Sequence, residues 1–474
     1  MKKALVLAAA FLCCWGSVQA GDEIAVSARE QQSVSVTIYN KNLALIKDRR
    51  AITLPAGIQI LAFREVSAKI KPETALMTGG DVAVLEQNFE YDLLTPQSLL
   101  QKYVGREVTM SRRHPTTGEE QSVHAKVLSA GNGVVLQVGN QIETEVSGRL
   151  IYPDVPGTLR DRPTLTMQVE SATAGARDVE LSYLTGGLSW QADYVAELNA
   201  TDDHLNLSGW VTLTNESGAQ YPQARLQLVA GDVNMVQREM EPRAMRMEAM
   251  AAGMAPAPKP MAEESMFEYH LYTLGRPTTL GENQKKQVAL LQADGVGCRK
   301  EFLLKGQDYY FSSQAGEIGR KMKVGVFVEL KNDKESGLGQ PVPAGVVRVY
   351  KKDGSGFLQF VGEDKIDHTP EKELLRLHLG DAFDVTADKQ QSDFKKLKGI
   401  GSANYAFESE YAIQLKNAKK EQVIVKVQEP IPGDWEILSE SVKHVKEAAH
   451  TASWLVAVPP METTTLTYRV RVKY

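Results

Sequence analysis

Apolar and polar residues alternate in steps of two over most of the chain. Val34, Val36 and Ile38 are interleaved with Ser33, Ser35 and Thr37, and Leu205, Leu207, Val211 and Leu213 with Asn206, Ser208, Thr212 and Thr214. Val324, Val326, Val328 and Leu330 repeat the spacing. At the end of the chain Leu466, Tyr468, Val470 and Val472 oppose Thr467, Arg469, Arg471 and Lys473. Successive side chains of a strand point to opposite faces, so each segment reads as a strand with one buried side. Gly, Pro, Asn and Asp stand between the segments, and alternating strand–helix units are absent. The expected fold class is all-β, built as multi-domain antiparallel β-sandwiches.

The pattern changes in three places. Thr95 is placed to cap a short helix, Pro96 suits its first position, Leu99, Leu100 and Tyr103 share a face, and Gly105 ends it. Strand candidates follow at Arg106–Arg112, Gln121–Ser129, Gly133–Val138, Gln141–Glu145 and Arg149–Tyr152. Residues 95–152 are therefore expected to form a small SH3-like or Sm-like barrel inside an N-terminal β-domain, 21–160. A central β-sandwich domain is expected over 161–400. Within it, residues 238–265 carry Pro242, Pro256, Pro258 and Pro260, and seven of the 14 methionines fall between Met240 and Met266, so this stretch reads as a flexible excursion. The last unit, 401–474, has strands near Tyr411–Leu415, Val423–Val427, Trp454–Val458 and Leu466–Val472, as an immunoglobulin-like domain requires.

Composition narrows the setting. A chain of 474 residues holds two to four domains at about 100–200 residues each. With 43% hydrophobic and 24% charged residues it is neither a disordered chain nor a polytopic membrane protein. Lys and Arg total 54 against 59 Asp and Glu, a net charge of -5, so no basic excess points to nucleic acid. Lys2 and Lys3 precede an uncharged, mostly apolar stretch, Ala4 to Trp15, too short for the ~20 residues that span a bilayer. Val18-Gln19-Ala20 offers the small residues of a cleavage site. The expectation is a signal peptide, 1–20, cut after Ala20, and a periplasmic or secreted product of Gram-negative-type export. No transmembrane segment is expected after its removal, because the uncharged window Val127 to Ile142 is broken by Gly131, Asn132, Gly133, Gly139 and Asn140. Cys13 and Cys14 leave with the signal. Cys298 then stands alone, without an intramolecular disulfide, and reads as a small buried hydrophobe.

Thr185-Gly186-Gly187-Leu188-Ser189-Trp190, followed by Ala192-Asp193-Tyr194-Val195, resembles the signature of domain-of-unknown-function family 4139, the C-terminal domain of mucoidy-inhibitor-A-like bacterial proteins. Glu268-Tyr269-His270-Leu271-Tyr272, Gly362-Glu363-Asp364 running to His368-Thr369-Pro370, and Pro432-Gly433-Asp434-Trp435-Glu436 extend the likeness over about residues 163–474. The resemblance implies an exported β-rich protein and brings no activity with it. The sustained heptads of a coiled coil, which precede the domain in the inhibitor-like architecture, are missing here.

Candidate chemistry is sparse. GxSxG, HExxH and GxxxxGK[ST] are absent, so no catalytic residue and no cofactor is assigned. Ser392-Asp393-Phe394-Lys395 fits SxxK without a KTG partner, and His444 and His450 read as solvated loop histidines. Glu363, Asp364, Asp367 and His368 form the densest acid/His group. In a glycine-containing loop they offer oxygen ligands to a hard cation such as Ca²⁺, or a carboxylate and an imidazole for acid/base work. The plainer alternative is a polar loop in which Gly362 makes the turn. Met245, Met247, Met250 and Met254 offer soft thioethers to Cu(I). Trp190, Tyr194 and Trp210 suggest either a sugar-stacking surface or core. The leading expectation is a non-enzymatic cell-envelope protein that binds or scaffolds an unknown envelope protein or polymer. The alternatives are a metal-dependent hydrolase of an envelope polymer and a copper-handling protein.

Overall fold

The computed structural model describes residues 23–113, 118–131, 133–146, 148–231, 233–234, 261–400 and 403–474. The signal peptide expected over 1–20 and the four clustered methionines lie outside these residues. About two thirds of the described chain is strand, joined by turns, one α-helix and three single-turn 3-10 segments. The protein is all-β, with several separate sheets. It divides into two compact units, and the chain passes between them repeatedly. One unit comprises the residues up to Ser189, Thr214–Leu228 and Arg276–Lys285; the other comprises Trp190–Leu213, Val229–Gly275 and Lys286–Tyr474.

The first unit holds three sheets. Glu23–Val26, Gly57–Arg64, Thr164–Ser171 and Val82–Glu90 lie side by side in that order, with only the first pair parallel. Tyr221–Ala230, Gln31–Tyr39, Leu43–Leu54, Gly175–Thr185 and Leu76–Thr78 form a second set. Five strands from Glu107 to Ile151 form the third, antiparallel throughout. Each of the five strands expected in this stretch is present. The expected helix is Pro96–Lys102: Thr95 Oγ1 accepts the Ser98 N–H at 3.0 Å and Ser98 Oγ accepts the Thr95 N–H at 2.9 Å. Its Leu100, and Tyr103 just beyond, pack against Val108, Met110, Val127 and Leu136 of the sheet.

The second unit is organised by three long strands, Gln284–Lys305, Glu317–Lys331 and Leu374–Ile400. Their first or last halves join Leu188–Leu198, His204–Asn215, Gly345–Lys352 and Leu358–Ile366. There Tyr194, Leu207, Leu330, Val347, Ile366 and Leu377 converge. Their other halves join Ala403–Asn417, Thr463–Lys473 and Asp434–Glu440 in one layer. Val423–Pro430, Thr451–Val458 and Val445–Ala448 form a facing layer, and the two share a core that includes Trp454, Tyr411, Tyr468 and Val425. That core also draws on Phe302, Leu304, Val324 and Val385, which precede residue 401. Ala403–Asn417 is the return half of a hairpin with Leu374–Ile400, so these layers are assembled from both sides of that position. The end of the stretch expected to be flexible is ordered: Ala262–Met266 is a strand paired with Tyr269–Thr273. All five of its side chains are exposed, which removes the alternation that would mark it.

Ion pairs tie the strands of this unit across their wet faces. Asp202, side chain 16% exposed, accepts from Lys300 Nζ at 2.6 Å and also from Lys351 Nζ. Burial works against its charge, but the two lysine hydrogen bonds outweigh it and hold the carboxyl below its ordinary value. A carboxylate with a depressed folded-state pKa contributes stability above its unfolded value, near 3.9, and that contribution fades as pH falls through the folded value. Asp202→Asn is therefore expected to lower stability at pH 7 but to lose less than the wild type on acidification below about pH 4. Urea midpoints measured across pH 2–7 check this; parallel acid limbs would contradict it.

Candidate interaction surface

The acid/His group is only half a loop. Gly362, Glu363 and Asp364 lie within the strand Leu358–Ile366, and consecutive strand residues face opposite ways. Glu363 pairs with Arg348 at 3.1 Å on one side. Asp364 turns to the other, where Oδ2 accepts the His378 N–H at 2.7 Å and Oδ1 accepts the Lys365 N–H at 2.8 Å. Asp367 and His368 follow the strand, exposed, and His368 Nδ1 accepts from the Ala344 N–H at 3.2 Å. The four side chains do not converge. Among the described residues no group of three or more His, Cys, Asp or Glu is placed to hold a metal ion.

The remaining candidates also resolve into structural roles. Trp190 is 6% and Tyr194 0% exposed, with the Tyr194 hydroxyl donating to the Pro343 carbonyl at 2.8 Å, while Trp210 lies on the alternate face of its strand. They line no common surface. His444 is not a solvated loop residue. It is half-buried, its Nδ1 is 2.9 Å from Glu440 Oε2, and its ring packs between Trp435 and Trp454. Ser392 is the extra residue of a bulge, and it and Lys395 are engaged apart: Ser392 Oγ donates to the Glu410 carbonyl and Lys395 pairs with Asp393. Cys298 is half-buried, and burial followed by the nearby Asp202 and Asp203 pushes its thiol up to about 11, which keeps it protonated and unreactive.

The stretches that carry the family resemblance serve packing. Gly187 (φ +82°) closes the turn between Gly175–Thr185 and Leu188–Leu198. Its N–H donates to Asn42 Oδ1 at 2.7 Å, and a Cβ there would lie 2.6 Å from Ser217 Cα. Beside it, the fully buried hydroxyls of Ser67 and Thr185 bond to each other and reach the Ser217 and Gly186 carbonyls, and the buried Ser217 hydroxyl donates to Asn215 Oδ1 at 2.8 Å. In His368-Thr369-Pro370, the Thr369 and Pro370 carbonyls accept from the buried Asn332 amide at 3.3 and 2.8 Å. In Pro432-Gly433-Asp434-Trp435, the Gly433 main chain lies against the Lys473 carbonyl and Trp435 Nε1 donates to the Ala449 carbonyl.

What stands out instead is a sheet edge. Leu358–Ile366 ends the strand order of the second unit, and its first residues, with Phe357, form an uncovered apolar run: Phe357 is 70%, Leu358 48%, Phe360 55% and Val361 40% exposed. Both faces of the strand are wet here. Tyr350, opposite, meets the Phe360 ring edge-on at 5.6 Å. Val361 is the extra residue of a bulge between Phe360 and Gly362, and a Cβ on Gly362 would lie 2.6 Å from the Leu379 carbonyl, which fixes where the exposed part begins. The hairpin tip is held by its own bonds. Asp353 Oδ1 accepts the Ser355 and Phe357 N–H groups at 2.9 and 3.0 Å, and Oδ2 accepts from Gln359 Nε2 at 2.9 Å. These bonds, that of Gln359 foremost, hold the Asp353 carboxyl below its usual value.

Soluble edge strands normally carry charge or are covered, and clustered exposed apolar side chains mark interaction sites. The edge strand of the first unit, Val82–Glu90, shows the contrast: Val84 and Leu85 are exposed there, but Glu86, Gln87 and Asn88 follow at once. The run Phe357–Val361 was not among the residues that sequence patterning singled out. Its signal was the absence of alternation, four large apolar residues in five positions beside a Gly-Ser-Gly turn.

Several sheets, mostly antiparallel, with an apolar edge define an all-β protein. Residues 179–474, more than half of the chain, match the family described as Domain of unknown function (DUF4139), and the chain belongs to it. No curated protein matches the chain. Among the described residues no helix is long and apolar enough to cross a membrane.

Proposed function

We propose that this is an exported, non-enzymatic cell-envelope protein that binds another envelope protein through the apolar edge Phe357–Val361. The observation that carries the reading is that edge: a hairpin pre-ordered by Asp353 offers aromatic and aliphatic side chains, and ordering them costs little on binding. Phe is among the residues enriched at the buried core of interfaces. Export is supported by the basic, apolar and small-residue order of residues 1–20 and by a single cysteine beyond them.

Phe360→Lys tests the reading. The side chain is exposed, so the change is expected to shift stability by no more than about 0.5 kcal/mol. It places a charge at the anchor and is expected to abolish co-purification of the partner after crosslinking in envelope extracts. Equal recovery of the same partner by wild type and variant would contradict the assignment.

A further inference from the structure

We propose that Lys389 and Glu429 are joined, in the mature fold, by an intramolecular amide between the two facing layers of the second unit. The pair breaks the rule that builds the core. Val385, Ala387, Lys389 and Gln391 point inward from one layer, and Val423, Val425, Val427, Glu429 and Ile431 from the other. Both charged side chains are 1% exposed, and Lys389 Nζ lies 2.6 Å from Glu429 Oε1.

Aromatic rings face the amine, but the carboxyl is left incompletely satisfied. The ammonium nitrogen stands 4.4 Å from the Tyr310 ring centre, 5.1 Å from Tyr411 and 5.9 Å from Phe311. Glu429 Oε2 has no hydrogen-bond partner and is pressed against the main chain of Gly306, where a Cβ would lie 2.0 Å from it. The Tyr468 hydroxyl is likewise buried without a partner, and its pKa is raised by burial and then by the Glu429 charge. Gln391 and Tyr411 are engaged elsewhere, with Gln391 Nε2 donating to Ser409 Oγ and the Tyr411 hydroxyl donating to the Tyr310 carbonyl. A buried ion pair is sustained when further hydrogen bonds satisfy it, and here Oε2 lacks them. Burial lowers the affinity of the amine for its proton and raises that of the carboxyl. Burial thus disfavours the charged form of both partners, the direction in which a condensation between them is eased.

The step balances without another reactant. Nζ attacks Cδ of Glu429 and forms the Nζ–Cδ bond. One carboxyl C–O bond breaks, and that oxygen leaves as water, taking the acid's own proton and one from Nζ. Nothing is oxidised or reduced. The amide keeps one donor and one acceptor and leaves no ionisable group in a dry site, so the product suits its surroundings better than the reactants. Facing sheets lie about 10 Å apart, a gap that a lysine and a glutamate extended toward each other bridge. The bond would close a loop of 40 residues in a chain whose described residues hold one cysteine, Cys298.

Mass spectrometry of the purified full chain, denatured and with its N-terminus determined, tests this. The expected result is a mass one water below that of the sequence and, after trypsin, a branched peptide joining the segments that contain Lys389 and Glu429. Lys389→Met and Glu429→Leu are each expected to restore the unbranched mass. If either variant fails to accumulate, the wild-type peptide map alone decides. An intact mass equal to that of the sequence, or a water loss that maps to any other residues, overturns the proposal.

Discussion

Replacing Glu429 with alanine is expected to unfold the second unit under conditions in which the wild type remains native. Lys389 then sits 1% exposed with no carboxylate, surrounded by Tyr310, Phe311 and Tyr411. Removing one member of a buried pair costs about 3–5 kcal/mol, because the other is left uncompensated. That is a large part of the ~5–15 kcal/mol that holds a typical domain together. Changing both residues, Lys389→Met with Glu429→Leu, removes both charges and fills the site with apolar volume. It is expected to be clearly more stable than the single variant, since Val385, Ala387, Val427 and Ile431 already line the same core. Urea unfolding of the three proteins measures this. A single variant as stable as the wild type, or a double variant no better than the single one, would contradict the account of the core.

Gly187→Ala is expected to be the most damaging change outside that core. The backbone there is left-handed, which costs a non-glycine residue about 1–3 kcal/mol. A Cβ would also lie 2.6 Å from Ser217 Cα and 2.7 Å from the Glu216 carbonyl oxygen, main-chain atoms that cannot swing aside. Gly105→Ala separates the two effects. Its φ is also positive, +85°, but nothing lies within 4 Å of the added Cβ. The fall in thermal midpoint for Gly187→Ala is expected to exceed that for Gly105→Ala clearly. Equal falls would mean that the close approach to Ser217 carries no weight.

Strand positions were legible in the sequence because burial here has a period of two. The strand Leu188–Leu198 alternates buried and wet residues from end to end, as does His204–Asn215 after its first residue. The helix at Pro96 was legible because Thr95, Pro96 and Ser98 act on atoms within one turn. How strands are shared was not. Leu374–Ile400 serves two cores along one continuous strand, and nothing in its local pattern announces where it passes from one to the other. The acid/His group looked like a loop because Gly362 and charged residues cluster there; the glycine in fact answers a close approach by the Leu379 carbonyl, which comes from a strand distant in sequence and leaves no mark on the local pattern. Lys389 and Glu429 did leave a trace: each occupies a position that the alternation reserves for an apolar side chain, and charge at such a position is the signal of a buried pair. The edge Phe357–Val361 left the opposite trace, apolar residues on both faces, which is the pattern of a strand whose second layer is another molecule.

The most direct test of the binding role places a photoreactive amino acid at position 360 in living cells, with a second at the exposed Glu371 as control. The account predicts one dominant adduct with an envelope protein from position 360, none from position 371, and loss of the adduct when the segment 1–20 is deleted and the protein is kept from export. Irradiation that leaves position 360 without an adduct, or yields the same adducts from both positions, would contradict it.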